Sequence, residues 1–422
     1  MQNETIAIHA GYNKKEGYGT MSVPIAQTTA YAFRDSEHAA NLFALKELGP
    51  IYTRLTNPTT DVLEQRFAAL EGGAAAICTS SGQAASFFAI ANVAEAGDNV
   101  LISDKLYGGS VTLLTYTMKR FGISAKVFKS DDASDLESLI DDKTKAIYFE
   151  SLSNPQIAIP DVEKVVEIAK KHGVLTICDN TVASAALFNP IKWGVDVVVH
   201  STSKYTNGQG TAIGGIVVER DGLAEFFKAN SNRYSHFTTP DESYHGLVYT
   251  DVPLPNFCLR IRLALLRDIG ATQAPFNSWL LIQTLETLGL RVDKHSDNAL
   301  EVAKFLESHP KVKAVNYPGL KSNKYYDKAQ KYFKGGKASG LISFDVESFE
   351  EAKRIIDSVK LFSVVVNIGD SKSLITHPAS TTHSQMSPEE LVKVGVNPVT
   401  VRLSIGLENP VDLIEDLNQA LN

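Results

Sequence analysis

The chain has 422 residues, 44% of them hydrophobic and 21% charged, with a formal net charge of −7 at neutral pH. That is ordinary for a soluble enzyme with room for a large core and two domains, and the acidic balance argues against nucleic acid or an anionic membrane as partner. No apolar run reaches the ~18 residues needed to cross a bilayer, the first twenty residues lack a secretion signal, and the three cysteines are widely separated, so a cytoplasmic protein with core thiols and no metal is expected.

Residues before about 58 are rich in turn formers and aromatics and have little core of their own, so they read as an arm. From 74 to 219, short apolar runs alternate with helical patterns. "AAAIC" precedes "QAASFFAIANVAEA", "NVLIS" precedes "GSVTLLTYTMKRFG", "AKVF" precedes "DASDLESLIDD", and "KAIYFE" precedes "DVEKVVEIAKKHG". Asp161 is placed to cap the last of these helices, and Gly173 to end it. "VLTICD" and "VDVVVH" follow. Continuous Val/Ile/Leu runs between helices predict parallel strands covered on both faces, with the ligand beyond their C-terminal ends. Residues 229–257, polar and aromatic with three prolines, read as a long loop and a candidate lid. After Pro275 a helical stretch over 276–309 leads into "KVKAVNY", "GLISFDV" and "LFSVVVN", the strands of a smaller C-terminal α+β domain.

Four features fall on the expected strand ends. "CTSSGQAAS" brings a strand into Ser81, Gly82 and Gln83 just as a helix begins, where free N–H groups and the helix dipole suit a phosphate. Tyr107, in "DKLYGGS", is set to stack on a flat ligand. Asp179 ends "VLTIC" and can pair with a pyridine nitrogen. Lys204, after "VVVHSTS", sits where partial desolvation and neighbouring positive charge lower the pKa of an amine and let it condense with an aldehyde. Each alone has a plainer reading: a strand-end lysine in water, a capping aspartate, one tyrosine among fifteen. Together they suit pyridoxal 5′-phosphate, which supplies the electron sink while the protein supplies geometry.

With those residues placed, the chain resembles the cystathionine γ-synthase-like family of pyridoxal-phosphate enzymes of methionine and cysteine metabolism. "YTRLTNPTTDVLEQRFAALEGG", "TSSGQAA", "LYGGS", "DNT", "HSTSKYTNGQG", "HPASTTHS" and "VRLSIGLE" occur in the family's order. The resemblance implies the fold type I architecture, a mostly parallel central sheet with helices on both faces. It implies an arm over 1–57 reaching a neighbouring subunit, a large cofactor domain over 58–284 and a small α+β domain over 285–422. It also implies Lys204 as the covalent anchor, Asp179 on the ring nitrogen, Tyr107 over the ring and as a second catalytic group, and Asn154 beside the 3-hydroxyl. Ser81, Gly82, Gln83, Ser201 and Ser203 would hold the phosphate, with Tyr52 and Arg54 arriving from the neighbour. Arg402, Asn367 and Tyr52 would bind substrate, Arg402 through the α-carboxylate. Asn367 stands where other branches more often show serine, and Gly109 where γ-lyase-like members carry cysteine. The implied activity is γ-replacement: O-acetyl-L-homoserine and sulfide give L-homocysteine and acetate in methionine biosynthesis, on a homotetramer built of dimers. Cystathionine γ-synthase or methionine γ-lyase chemistry and a non-catalytic regulator are the alternatives, and a sulfur-carrier protein as donor is left open.

Overall fold

The computed structural model describes residues 1–15, 19–381 and 397–422. The end of the "HPASTTHS" motif, residues 382–384, lies outside the described residues.

Local signals place the first elements. Asn57 accepts the N–H groups of Thr59 and Thr60, proline occupies the first turn, and Gly72 closes the helix Pro58–Glu71 in the left-handed region at φ 76°. The helix Val162–His172 has the expected ends: Asp161 accepts the Lys164 N–H at 3.2 Å, and Gly173 closes it at φ 61°. Other helical expectations hold less well. "DASDLESLIDD" yields one turn, Leu136–Leu139, and the stretch after Tyr107 runs from Gly108–Thr112 into a wide turn over Leu113–Thr117.

Seven strands form the main sheet: β1 Ala75–Thr79, β2 Asn99–Ser103, β3 Ser124–Phe128, β4 Thr144–Glu150, β5 Leu175–Asp179, β6 Val197–Ser201 and β7 Gly215–Glu219, in the order β1-β7-β6-β5-β4-β2-β3. The β3, β2, β4, β5 and β6 strands pair in parallel, and β7 runs antiparallel between β6 and β1. Alternate residues feed two cores. Ile147, Phe149, Cys178 and Val198 join the cluster on one face; Ala146, Tyr148, Ile177, Val197 and Val199 join the cluster on the other. This period of two across continuously apolar strands is the signature of a sheet buried on both sides. All three cysteines are buried and unpaired.

A second sheet has the order β10-β11-β12-β9-β8, built from β8 Ala314–Asn316, β9 Leu341–Asp345, β10 Ser363–Val364, β11 Leu374–Thr376 and β12 Thr400–Ser404. "LFSVVVN" contributes only the two exposed residues of β10. The helix Leu288–Ser308 ties the sheets together. Its Arg291 donates to the carbonyls of Tyr205 at 2.6 Å and Thr206 at 3.0 Å, while the Ser371 N–H donates to the Gly208 carbonyl at 2.8 Å. The turn after Lys204 is thereby fixed from the C-terminal side. Among the described residues no helix is long and apolar enough to cross a membrane, and no group of His, Cys, Asp and Glu could hold a metal ion.

Residues 229–257 do not form a lid over the strand ends. Tyr234, Phe237, Tyr249 and Phe257 are fully buried in the core on one face of the main sheet, with the Phe237 ring stacked 3.8 Å from that of Phe227. Aromatic content here marks packing. Phe237→Ala is therefore expected to destabilise the fold by about 3–5 kcal/mol while leaving KM unchanged. Thermal denaturation beside steady-state kinetics checks both halves.

Candidate active site

Because β1, β2, β4, β5 and β6 point the same way, their C-terminal ends gather at one edge of the sheet, where helix dipoles and loop amides are unspent. A cavity of about 280 Å³ opens there, bounded by Gln83, Tyr107, Asp179, Lys204, Asn367 and Arg402 among others. Ser81, Gly82, Asn154, Ser201 and Ser203 also line it. The structure thus brings together residues from five strand ends and from β12 of the second sheet.

At one end of the cavity the helix Gly82–Ala91 begins. Ser81 is its N-cap, its hydroxyl accepting the Ala84 N–H at 3.1 Å, which leaves the N–H groups of Gly82 and Gln83 facing outward. A Cβ on Gly82 would lie 2.5 Å from the Ser201 Cβ, so glycine lets the turn close onto β6. The Ser203 hydroxyl bridges to Gly214, donating to its carbonyl at 3.2 Å and accepting its N–H at 3.0 Å. This end offers N–H groups and hydroxyls, the donor set of an anion site.

Tyr107 stands at the opening, 42% exposed. A Cβ on Gly109 would lie 2.5 Å from the Tyr107 ring and 2.6 Å from the Gln83 amide, so a side chain at 109 would displace the aromatic. Deeper in, Asp179 ends β5. Its Oδ1 accepts the Thr181 N–H at 2.9 Å, and its Oδ2 accepts from the Tyr148 hydroxyl at 3.3 Å. Burial pushes the Asp179 carboxyl above its ordinary value, with the hydrogen bonds from Thr181 pulling the other way.

Lys204 Nζ donates to Asn367 Oδ1 at 2.7 Å. Burial, then the charge of Arg402, lowers its pKa below that of an ordinary lysine. Arg402, 5% exposed, reaches in from β12: one amino group donates to Asn154 Oδ1 at 2.9 Å and the other to the Asn367 carbonyl at 3.1 Å. Its buried Nε has no protein partner among the described residues, so the guanidinium retains a donor for a ligand. Burial brings its pKa down to about 10.

Tyr52 and Arg54 do not line this cavity. Arg54 lies over the Tyr52 ring at 5.1 Å and borders a second cavity, while Tyr52 is 40% exposed.

Sequence reading missed Glu150. It ends β4 beside Asp179, is 6% exposed and lines the same cavity. Its Oε1 accepts the Tyr107 N–H at 2.6 Å and its Oε2 the Asn154 N–H at 3.2 Å. Burial, then the charge of Asp179, pushes this carboxyl well above its usual value, and those two N–H groups oppose the shift. The signal was present: "KAIYFE" ends a buried strand on a carboxylate, as "VLTICD" does.

The arrangement suits a flat ligand with an anionic group at one end, a ring nitrogen near Asp179 and a carbonyl within reach of an amine. A family model described as Cys/Met metabolism PLP-dependent enzyme matches residues 4–422. The chain is 46% identical to an O-acetyl-L-homoserine sulfhydrylase of Leptospira meyeri, over 99% of this chain and 96% of that protein. It is 44% identical to an O-acetyl-L-homoserine sulfhydrylase of Thermus thermophilus, over the whole of both chains. A Campylobacter jejuni crystal structure described as a putative O-acetylhomoserine (thiol)-lyase, carrying N′-pyridoxyl-lysine-5′-monophosphate, superposes with a TM-score of 0.98 at 56% identity, covering all of both chains.

Proposed function

The chain belongs to the Cys/Met metabolism PLP-dependent enzymes, and within that family we propose that it is an O-acetyl-L-homoserine sulfhydrylase, converting O-acetyl-L-homoserine and sulfide into L-homocysteine and acetate. One observation carries the reading: an enclosed amine, Lys204, shares a cavity with an unspent arginine donor and a strand-end carboxylate.

Pyridoxal 5′-phosphate, when bound, supplies an electron sink for charge developing on the substrate carbons. The residues present fit it. The N–H groups of Gly82 and Gln83, with Ser81, Ser201 and Ser203, would hold the phosphate, Tyr107 would cover the ring, Asp179 would keep the ring nitrogen protonated, and Asn154 would flank the 3-hydroxyl. Lys204 would be the covalent anchor. Arg402, with Asn367, binds the substrate α-carboxylate, where a planar guanidinium is better shaped than an ammonium. Once freed by the substrate amino group, Lys204 would take the Cα proton, hand it on to the bound cofactor, and so be free to take a Cβ proton, a base suited to both by its lowered pKa. The Cγ–O bond to acetate breaks and a Cγ–S bond to sulfide forms. The protons return through Lys204, and the Tyr107 hydroxyl, at the cavity opening, assists departure of acetate.

The assembly we infer is a cytoplasmic homotetramer built of two dimers, with residues 1–57 reaching across so that Tyr52 and Arg54 complete the neighbour's site. Their distance from the chain's own cavity supports this, as do the exposed Met21 and Leu48 of the arm. Residues 58–284 would then form the cofactor domain and 285–422 the small domain.

Steady-state kinetics with the acetyl, succinyl and phosphoryl esters of homoserine, each against sulfide and cysteine, and with methionine alone, test the reading. The acetyl ester with sulfide is expected to give the highest kcat/KM. Faster turnover with cysteine, or of methionine alone, would replace it by cystathionine γ-synthase or γ-lyase activity.

A further inference from the structure

We propose that Glu150 is a positioning residue: its single carboxylate clamps the backbones of Tyr107 and Asn154, and so sets the gap between the aromatic above the cofactor ring and the arginine that receives the substrate carboxylate. The proposal rests on the cavity being a pyridoxal-phosphate site. The two loops it joins leave different strands. Tyr107 follows β2 and is succeeded by Gly108 and Gly109, with no side chain capping the turn. Asn154 follows β4 and accepts from Arg402 at 2.9 Å. Among the described residues, the Glu150 carboxylate is a hydrogen-bonding group that touches both loops. Each of its oxygens takes one of the two N–H groups, at 2.6 and 3.2 Å. It is rooted at the end of β4, in register with Asp179 on β5.

The chemistry of the clamp requires a carboxylate. Both partners are donors, so both side-chain atoms must accept. Glutamine has the same shape, yet its NH₂ group would face one of the N–H groups, leaving buried donors opposed. A protonated Glu150 would have the same defect. The clamp therefore needs the ionised form, which burial and the charge of Asp179 oppose and which the Tyr107 and Asn154 N–H groups favour. The energetic expense of a second buried carboxylate is offset by two charge-assisted hydrogen bonds. The consequence reaches substrate through a short chain: Glu150 holds the Asn154 backbone, the Asn154 side chain holds Arg402, and Arg402 holds the carboxylate.

The test uses the holoenzyme and two variants, Glu150→Gln and Glu150→Asp, the second keeping both acceptors on a stem one carbon shorter. Visible circular dichroism of the bound cofactor reports the asymmetry imposed by Tyr107, and KM for O-acetyl-L-homoserine reports Arg402. For Glu150→Gln the dichroism is expected to fall and kcat/KM to drop roughly tenfold to a hundredfold, mostly through KM. Glu150→Asp should recover part of both. Combining Glu150→Gln with Arg402→Lys should cost less than the product of the separate losses, since both act on one carboxylate contact. Wild-type dichroism and KM in Glu150→Gln, with only a lowered melting temperature, would overturn the clamp. Should Glu150→Gln not fold, Glu150→Asp with unaltered dichroism and KM would overturn it equally. Failure of the functional reading is separate: a wild-type enzyme without sulfhydrylase activity whose cofactor dichroism still responds to Glu150→Gln keeps the clamp and loses the substrate.

Discussion

Lys204→Ala is expected to abolish γ-replacement, with a loss beyond the roughly 10²–10⁴-fold that one positioned acid–base group contributes. The larger figure follows because the same amine is proposed to serve twice, as the covalent anchor and as the base that visits Cα and Cβ. Its surroundings suit both duties. Burial and the Arg402 charge lower its pKa, so a larger fraction is unprotonated near neutrality than for a lysine in water. Asn367 Oδ1, 2.7 Å from Nζ, gives the amine a resting partner that can accept from it in either protonation state. The variant should still take up cofactor through the helix N-terminus and the serines, since none of those contacts involves residue 204. Steady-state turnover, with mass spectrometry of borohydride-treated protein, checks the two roles. Wild-type turnover would refute the assignment, and a reduced cofactor adduct on a peptide lacking residue 204 would move the anchor elsewhere.

How much of this was visible in the chain depends on the kind of signal each residue leaves. Strands buried on both faces leave uninterrupted apolar runs, so "NVLIS" and "VLTICD" mark β2 and β5 closely. Caps are equally local, as Asp161 and Gly173 show. Direction leaves no trace: "GIVVE" is as apolar as its neighbours, and only the sheet reveals that β7 runs antiparallel. β11 is only three residues long and leaves too short an apolar run to mark a strand. Arg402, inside "TVRLS", was assigned to the substrate carboxylate by the resemblance, and only the tertiary structure shows it buried against Asn154 and Asn367. The lid expectation for 229–257 weighted polarity and prolines over the aromatics that fill the core. Glu150 had a legible signal in the strand-end carboxylate of "KAIYFE", but its partners are backbone N–H groups, so only the structure shows what it holds.

Asp179→Asn should separate charge from shape at the ring nitrogen. Asparagine matches the aspartate in size and can still accept the Thr181 N–H that Asp179 takes at 2.9 Å, so the end of β5 should keep its form. What disappears is the negative charge. In the absence of cofactor that charge is a burden: burial raises the carboxyl's pKa, and the neighbouring carboxylate of Glu150 lies in register beside it. The cofactor-free variant is therefore expected to be no less stable to heat than the parent. In the holoenzyme the sign reverses. In the proposed site a cationic ring nitrogen would be the partner of Asp179, and without the carboxylate the ring would lose its proton and with it most of its capacity to withdraw electrons. Removing one preorganised electrostatic contact of this kind typically costs about 10²–10³-fold in kcat, and the Cα proton that Lys204 must take becomes correspondingly harder to remove. KM should move less, because the substrate carboxylate is proposed to be held by Arg402, on a different element, β12. Turnover at the wild-type rate, or a large loss of stability in the cofactor-free variant, would show that Asp179 serves the strand end and not the ring.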